Sequence, residues 1–240
     1  MESSLSKTEA SPQLSARTGG FLYLIMIVLG IIQQVVIRGK MVIEGDAAAT
    51  AANLKSMETL WRFGIAIELI MIVITVWVGL ILYVLTKPVN KNLALLAVFF
   101  NMLATATGAA YSLQLIQALF PLGNTAYLNA FTQDQLYALT SIYIRSQSLG
   151  FGITLFLFAP FFFVTSYLIF KSGYLPKFLG LLYIIPGLSY SISSLLLILA
   201  PVFGAKYYFI IAGPAVIGEL SLSLWLLIKG VNLEKWNARL

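Results

Sequence analysis

The pattern of apolar and polar positions divides the chain into six long apolar runs separated by polar segments. The runs cover residues 21–37, 61–85, 93–119, 148–170, 179–199 and 208–228. A helix needs about 20 predominantly apolar residues to cross the hydrocarbon core of a bilayer. Each run is near that length, so the pattern predicts an all-α polytopic bundle of about six transmembrane helices.

The fourth helix is expected to begin well before its apolar run. Thr132 and Gln135 have the spacing of a capping box, and no helix breaker follows before Gly150. A helix from Thr132 to Lys171 is about 58 Å long at ~1.5 Å per residue. This exceeds the thickness of a bilayer core, so its first turns are predicted to stand outside the membrane.

The polar segments at the two ends flank one predicted domain. Residues 1–18 are polar and Ser-rich, and we expect a disordered cytoplasmic tail there. A signal peptide is the alternative, but the apolar run that follows is long and the small residues 47–52 lie too far beyond it for cleavage. Residues 19–231 are predicted to form the six-helix transmembrane domain, and residues 232–240 a short cytoplasmic tail.

The longest predicted loop covers roughly residues 38–60. Asp46 is suited to cap a short Ala-rich helix over residues 47–55, which we expect to lie on the surface. This helix is either a connector or a lid over an outward-facing cavity, and the connector is the favoured interpretation.

Composition supports a membrane location and excludes several kinds of chemistry. The chain is 60% hydrophobic and 10% charged, and its mean hydropathy is +0.91, whereas soluble domains are about a quarter charged. It has no cysteine and no histidine, which excludes disulfides, thiol nucleophiles, Ser-His-Asp catalysis and histidine-ligated haem or zinc. We expect no cofactor and favour a function other than catalysis.

Lysine and arginine positions predict the orientation, since cytoplasmic loops are enriched in both residues. With the amino terminus inside, nine basic residues are cytoplasmic and six are outside. The compact loops from Lys87 to Lys91 and from Lys171 to Lys177 are basic, whereas residues 120–133 contain neither Lys nor Arg. Both termini are therefore predicted to be cytoplasmic. This placement also accounts for the net charge of +6 without a nucleic-acid partner.

A few polar residues lie within the apolar runs. Glu68 and Glu219 are the acids, and burying such a side chain at membrane depth costs roughly 2.5–3.5 kcal/mol. Gly64 and Gly79 share a helical face with Glu68, and Ala215 and Ser223 share one with Glu219. Small residues allow close helix packing. These faces are therefore predicted to point into the bundle.

Together the polar residues predict a cavity open to the exterior. Glu68 is expected to pair with Arg145 or Arg62, and Glu219 to lie at the cavity floor. The proposed lining is Glu68, Glu219, Arg62, Arg145, Gln147, Asn101 and Gln114. The structural alternative is that the arginines extend to the interface and that the two acids hold helices in register. Pro160, Pro186 and Pro214 are expected to kink the last three helices, and Pro214 lies close enough to Glu219 to orient it.

Four stretches carry a resemblance to a known family: residues 45–69, 82–97, 167–183 and 218–230. They resemble the prokaryotic membrane proteins grouped as domain of unknown function 4386, and the similarity runs from about Gly19 to Val231. The resemblance implies one domain in a bacterial inner membrane, and Glu68 and Glu219 match its polar positions. It implies no activity. Members often carry histidines in the fourth helix, where this chain has Arg145, Gln147 and Pro160.

Three functions remain open at this point. The first is a small-solute or proton-linked transporter, although no inverted repeat is evident. The second is a sensor or interaction subunit that binds a lipid or a small ligand. The third is an intramembrane enzyme that acts on lipid with a glutamate as general base. The transporter is preferred and the enzyme is least favoured. The lipid bilayer is the expected partner, with a small molecule or lipid as candidate ligand, and the oligomeric state is left open.

Overall fold

The computed structural model describes residues 11–239, and these residues are helical with no β-strand. Six helical segments are long and apolar enough to cross a membrane. We refer to them as the first to sixth spans: Pro12–Met41, Glu58–Thr86, Lys91–Leu122, Gln133–Ser172, Lys177–Leu199 and Pro201–Ile228. The predicted all-α bundle of six spanning helices is confirmed.

Three of the spans are interrupted. The first consists of an α-helix, Pro12–Ile31, a π-helical stretch, Ile32–Arg38, and a last turn, Gly39–Met41. The fifth is Lys177–Leu182 followed by Ile184–Leu199. The sixth is Pro201–Ala212 followed by Ala215–Ile228, where Pro214 cannot donate a backbone hydrogen bond. The second and fourth spans are continuous α-helices, and the third is the α-helix Lys91–Gln117 ending in the short turn Phe120–Leu122.

The spans pack in a ring in chain order, and the sixth closes it against the first. The end of the bundle with the 87–90 and 173–176 turns is named the basic end, because lysines cluster there. The opposite end, with residues 42–57 and 118–132, is the loop end. Each end has its own apolar cluster. Tyr23, Leu82 and Phe162 belong to the cluster nearer the basic end, and Ile37 and Trp61 to that of the loop end.

Two local predictions are confirmed. Asp46 accepts a hydrogen bond from the Ala49 N–H (2.8 Å) and caps the helix Ala47–Ser56. Leu54 is buried and this helix packs against the fourth span. The fourth span has the full capping box of Thr132 with Gln135 and runs unbroken past Pro160.

The prediction of a disordered tail over residues 1–18 is wrong for residues 12–18, which form the first turns of the first span. Ser15 and Ala16 are buried there, because small residues pack closely against the neighbouring spans. Residues 1–10 lie outside the described residues. The segment predicted as a short tail, 232–240, contains the helix Leu233–Asn237, whose Trp236 is buried against Tyr174 with ring centroids 4.7 Å apart.

Candidate functional site: two buried carboxyl groups

Two buried carboxyl groups lie within the spans, one in the second and one in the sixth. Glu68 is about 15 Å along the second span from its loop end, and Glu219 is about 14 Å from the basic end of the sixth span. Both are less than 10% exposed. The predicted inward faces are confirmed, because Gly64, Gly79 and Ser223 are buried as well.

The carboxyl group of Glu68 interacts with the third and first spans. The Ser112 hydroxyl donates to its Oε1 (3.3 Å), and the positive charge of Arg38 faces it. Arg38 does not form a direct ion pair with Glu68; within residues 11–239 the one ion pair is Arg62–Glu58. We name Arg38, Glu68, Ser112 and Gln147 the arginine site.

Arg38 links several spans at this site, because its guanidinium group reaches across to the fourth span. Its Nη1 donates to Oε1 of Gln147 (2.9 Å), and its Nη2 donates to the Ser148 hydroxyl and weakly to the Ile144 carbonyl (3.5 Å). Tyr208 of the sixth span also faces the guanidinium group. Arg38 therefore connects the first, fourth and sixth spans to the carboxylate on the second.

The expected pairing of Glu68 with Arg62 or Arg145 is wrong. Arg62 is exposed and donates its Nε to Glu58, one turn earlier on the same helix (2.8 Å). Arg145 is also exposed, although Gln147, two residues later, is buried. Both arginines lie on exposed faces of their helices.

The remaining predicted polar residues lie on the third span and have fewer partners. Gln114 is half-buried. Asn101 is 1% exposed, and both side-chain polar atoms lack a hydrogen-bond partner among the described residues. A β-carbon at Gly79 of the second span would lie 2.6 Å from Oδ1 of this amide, so a larger residue there would require the Asn101 side chain to move. Asn101 is thus not brought together with either carboxyl group by any hydrogen bond.

Glu219 has a different environment, composed of tyrosines. The Tyr190 hydroxyl donates to its Oε1 (2.9 Å), and the Tyr23 hydroxyl also interacts with the carboxyl group. The hydroxyl groups of Tyr23 and Tyr183 are 3.0 Å apart, and Phe162 packs against Tyr183 and Tyr190. We name Glu219, Tyr23, Tyr183 and Tyr190 the tyrosine site. It joins the first, fifth and sixth spans.

Sequence reasoning missed Arg38 and the three tyrosines. Arg38 follows an apolar run and was assigned to the adjoining loop, but the π-helical stretch keeps it within the helix. Tyr23 and Tyr183 stand near the starts of their apolar runs, where aromatic residues are ordinarily interfacial. Tyr190 carried a usable signal, since a hydroxyl near the middle of a span needs a hydrogen-bond partner.

Neither of two pockets at the surface of residues 11–239 is lined by any residue of the arginine or tyrosine sites. One, of about 450 Å³, is lined by residues 200–203, Lys206 and Tyr207 at the loop end. The other, of about 340 Å³, lies at the basic end. The outward-facing cavity around Glu68 and Glu219 stays a prediction.

Comparison with known proteins gives a family without an assigned activity. The family model described as "Domain of unknown function (DUF4386)" matches residues 18–230. An uncharacterized protein from Archaeoglobus fulgidus is 29% identical over 168 residues, which is 69% of this chain and 83% of the relative. No solved structure matches the chain. The expected resemblance is confirmed, and the chain belongs to the DUF4386 family.

Proposed function

We propose that this protein transports a small solute or ion and couples that movement to proton exchange at Glu219. The supporting observation is that all three interrupted spans contribute to the two polar sites. The π-helical stretch of the first span supplies Arg38, the break in the fifth lies at Tyr183, and the break in the sixth is one turn before Glu219. Interrupted helices near the membrane midplane commonly form the binding sites of secondary transporters.

The two sites have complementary roles in this proposal. The arginine site lies in the loop-end half and contains a fixed positive charge, which suits binding of a polar or anionic group. The tyrosine site lies farther from the loop end. It surrounds one carboxyl group with hydroxyl groups, which suits binding and release of a proton. An outward-facing cavity would connect them when Pro201–Ala212, the first half of the sixth span, moves about the 213–214 break.

We also propose that the chain resides in the plasma membrane of a prokaryotic cell with both termini in the cytoplasm. Among residues 11–239, eight basic side chains and one acidic side chain lie at the basic end. The basic residues are Arg17, Lys87, Lys91, Lys171, Lys177, Lys229, Lys235 and Arg239, and the acid is Glu234. This asymmetry is the pattern expected of a cytoplasmic face.

Proton movement into proteoliposomes tests the transport proposal. The full chain is reconstituted with a pH-sensitive dye inside, a membrane potential is imposed, and pools of amino acids, sugars, organic anions and metal cations are added in turn. We expect at least one pool to cause proton uptake above that of protein-free vesicles. Glu219→Gln is expected to reduce this uptake at least tenfold, whereas the exposed Glu234→Gln is expected to retain it. Equal uptake by Glu219→Gln and the wild type would contradict the proposal.

A sensor or interaction subunit is the second candidate function. It is favoured by the ordered C-terminal segment, which packs on the turn between the fourth and fifth spans and offers a surface for a partner. Co-purification of a ligand or partner, with no solute-dependent proton uptake in any pool, would favour this candidate. An intramembrane enzyme acting on lipid, with Glu219 as general base, is the least favoured and would require turnover of a lipid.

A further inference from the structure

The pocket at the basic end is separate from both carboxyl sites. It has a volume of about 340 Å³ and is lined by residues 173–176, Trp225, residues 229–232 and Lys235. It therefore joins the turn between the fourth and fifth spans, the end of the sixth span and the start of the C-terminal helix.

Hydrogen bonds hold the walls of this pocket in place. Gln13, at the start of the first span, donates to the Lys229 carbonyl (3.0 Å) and accepts from the Val231 N–H (3.0 Å). The Asn232 N–H donates to the Tyr174 carbonyl (3.1 Å), and the Tyr174 hydroxyl donates to the Leu85 carbonyl (2.6 Å). Since these bonds tie the junction to the first and second spans, the pocket is organised before any ligand arrives, which favours binding.

The charge of the pocket is positive. Lys229 and Lys235 are exposed, and within residues 11–239 neither forms an ion pair. Glu234 lies on the same short helix but does not line the pocket. Two ammonium groups over a concave, partly polar surface favour a compact anion.

The pocket lies at the end of the sixth span, where the headgroup region of a bilayer is expected. Trp225 lies in its wall and packs edge-on against Phe178, with ring centroids 5.7 Å apart. Tryptophan is enriched at membrane interfaces, and Lys229 follows directly on the last residue of the sixth span. A ligand in this pocket therefore lies where the phosphate groups of lipids lie.

We propose that this pocket binds the phosphate group of an anionic phospholipid, with Lys229 and Lys235 contacting the phosphate and Trp225 contacting the lipid beside it. Juxtamembrane lysines are attracted to anionic lipids in the same way. A phosphate group is carried both by lipid headgroups and by soluble phosphate esters, so the test distinguishes the two sources.

Native mass spectrometry of the detergent-purified full chain tests the proposal. The protein is titrated with phosphatidylglycerol or phosphatidylcholine of the same acyl chains. We expect tighter binding of phosphatidylglycerol, and a loss of about ten- to thirtyfold in that affinity for the double variant K229Q/K235Q. The matched control K91Q/K171Q removes the same charge at the same end but outside the pocket lining, and is expected to bind as the wild type does.

Two further measurements, with K229R/K235R and with glycerol 3-phosphate, complete the test. K229R/K235R keeps both charges and is expected to keep the affinity, which separates a loss of charge from a failure to fold. The proposal is overturned if phosphatidylglycerol binds no better than phosphatidylcholine, or if K91Q/K171Q weakens binding as much as K229Q/K235Q. Glycerol 3-phosphate is added as a competitor. If it displaces phosphatidylglycerol at equal concentration, the phosphate site stands and its assignment to a lipid is overturned.

Discussion

The arginine site and the tyrosine site each contain one buried glutamate, and they differ in the groups that face its carboxyl group. Glu68 faces the positive charge of Arg38 and accepts a hydrogen bond from Ser112. The interactions of Glu219 within the described residues are with tyrosine hydroxyl groups. A counter-charge favours the ionised state, whereas a hydroxyl group can donate to a carboxylate and accept from a carboxylic acid. In the proposed function, Glu68 is accordingly the ionised, structural partner that holds Arg38 in place, and Glu219 is the group that exchanges a proton.

Removing the guanidinium group should produce the largest effect. Arg38→Met keeps much of the aliphatic stem but removes the hydrogen bonds to the fourth span and leaves Glu68 without its counter-charge. We expect the free energy of unfolding in lipid micelles to fall by about 3 kcal/mol. The exposed Arg145→Met should change it by less than ~0.5 kcal/mol. Similar losses in the two variants would mean that Arg38 does not organise the bundle.

Tyr190→Phe should have the next largest effect. It removes the hydroxyl group that donates to Glu219 and leaves a buried carboxyl oxygen with one partner fewer, so we expect a loss of about 1–2 kcal/mol in the free energy of unfolding. Tyr167→Phe is the matched control, since Tyr167 is exposed near the basic end. An unchanged stability of Tyr190→Phe would show that this hydrogen bond is not maintained in the membrane.

Replacing each buried glutamate by glutamine compares the arginine site and the tyrosine site directly. Glu219→Gln keeps an acceptor for Tyr190 and removes a costly acid, so its unfolding free energy should stay within ~1 kcal/mol of the wild type or rise. Glu68→Gln should be the less stable of the two, because Arg38 then loses its counter-charge. Thermal unfolding in lipid measures both. The reverse order of stabilities would refute the assignment of structural and exchange roles.

The confirmed predictions depend on residues close in sequence, whereas the missed ones depend on tertiary contacts. Span positions, the helix capped by Asp46 and the capping box of Thr132 depend on residues close in sequence, and all were predictable. The partner of Glu68 was not, because it depends on the rotation of the first span about its axis. The π-helical stretch Ile32–Arg38 alters that rotation and turns Arg38 towards the fourth span. Arg62 was an equally plausible partner by depth, but it faces outward.

The smallest expected effect is on the melting temperature at high pH. It comes from Tyr174, which lies outside the arginine and tyrosine sites. Burial raises the pKa of Tyr174 above its ordinary value. The unfolded chain loses this proton first, near pH 10, so the contribution of Tyr174 to stability is present below that pH and declines as the pH rises above it. The decline in melting temperature above pH 10 should be shallower in Tyr174→Phe than in the wild type. Parallel declines would show that Tyr174 does not titrate this way.

The sequence by itself determined that this chain forms six membrane-spanning helices, which of their faces point inward and which family it belongs to. These properties follow from length, hydrophobicity and local spacing, since lipid requires every spanning helix to satisfy its own backbone. Only the tertiary structure decided that Arg38 faces Glu68, that three tyrosines surround Glu219, and that Gln13 bonds to the backbone of Lys229 and Val231. Each of these contacts joins residues distant in the chain. Each depends on how the helices are rotated and interrupted, which spacing along the sequence does not encode.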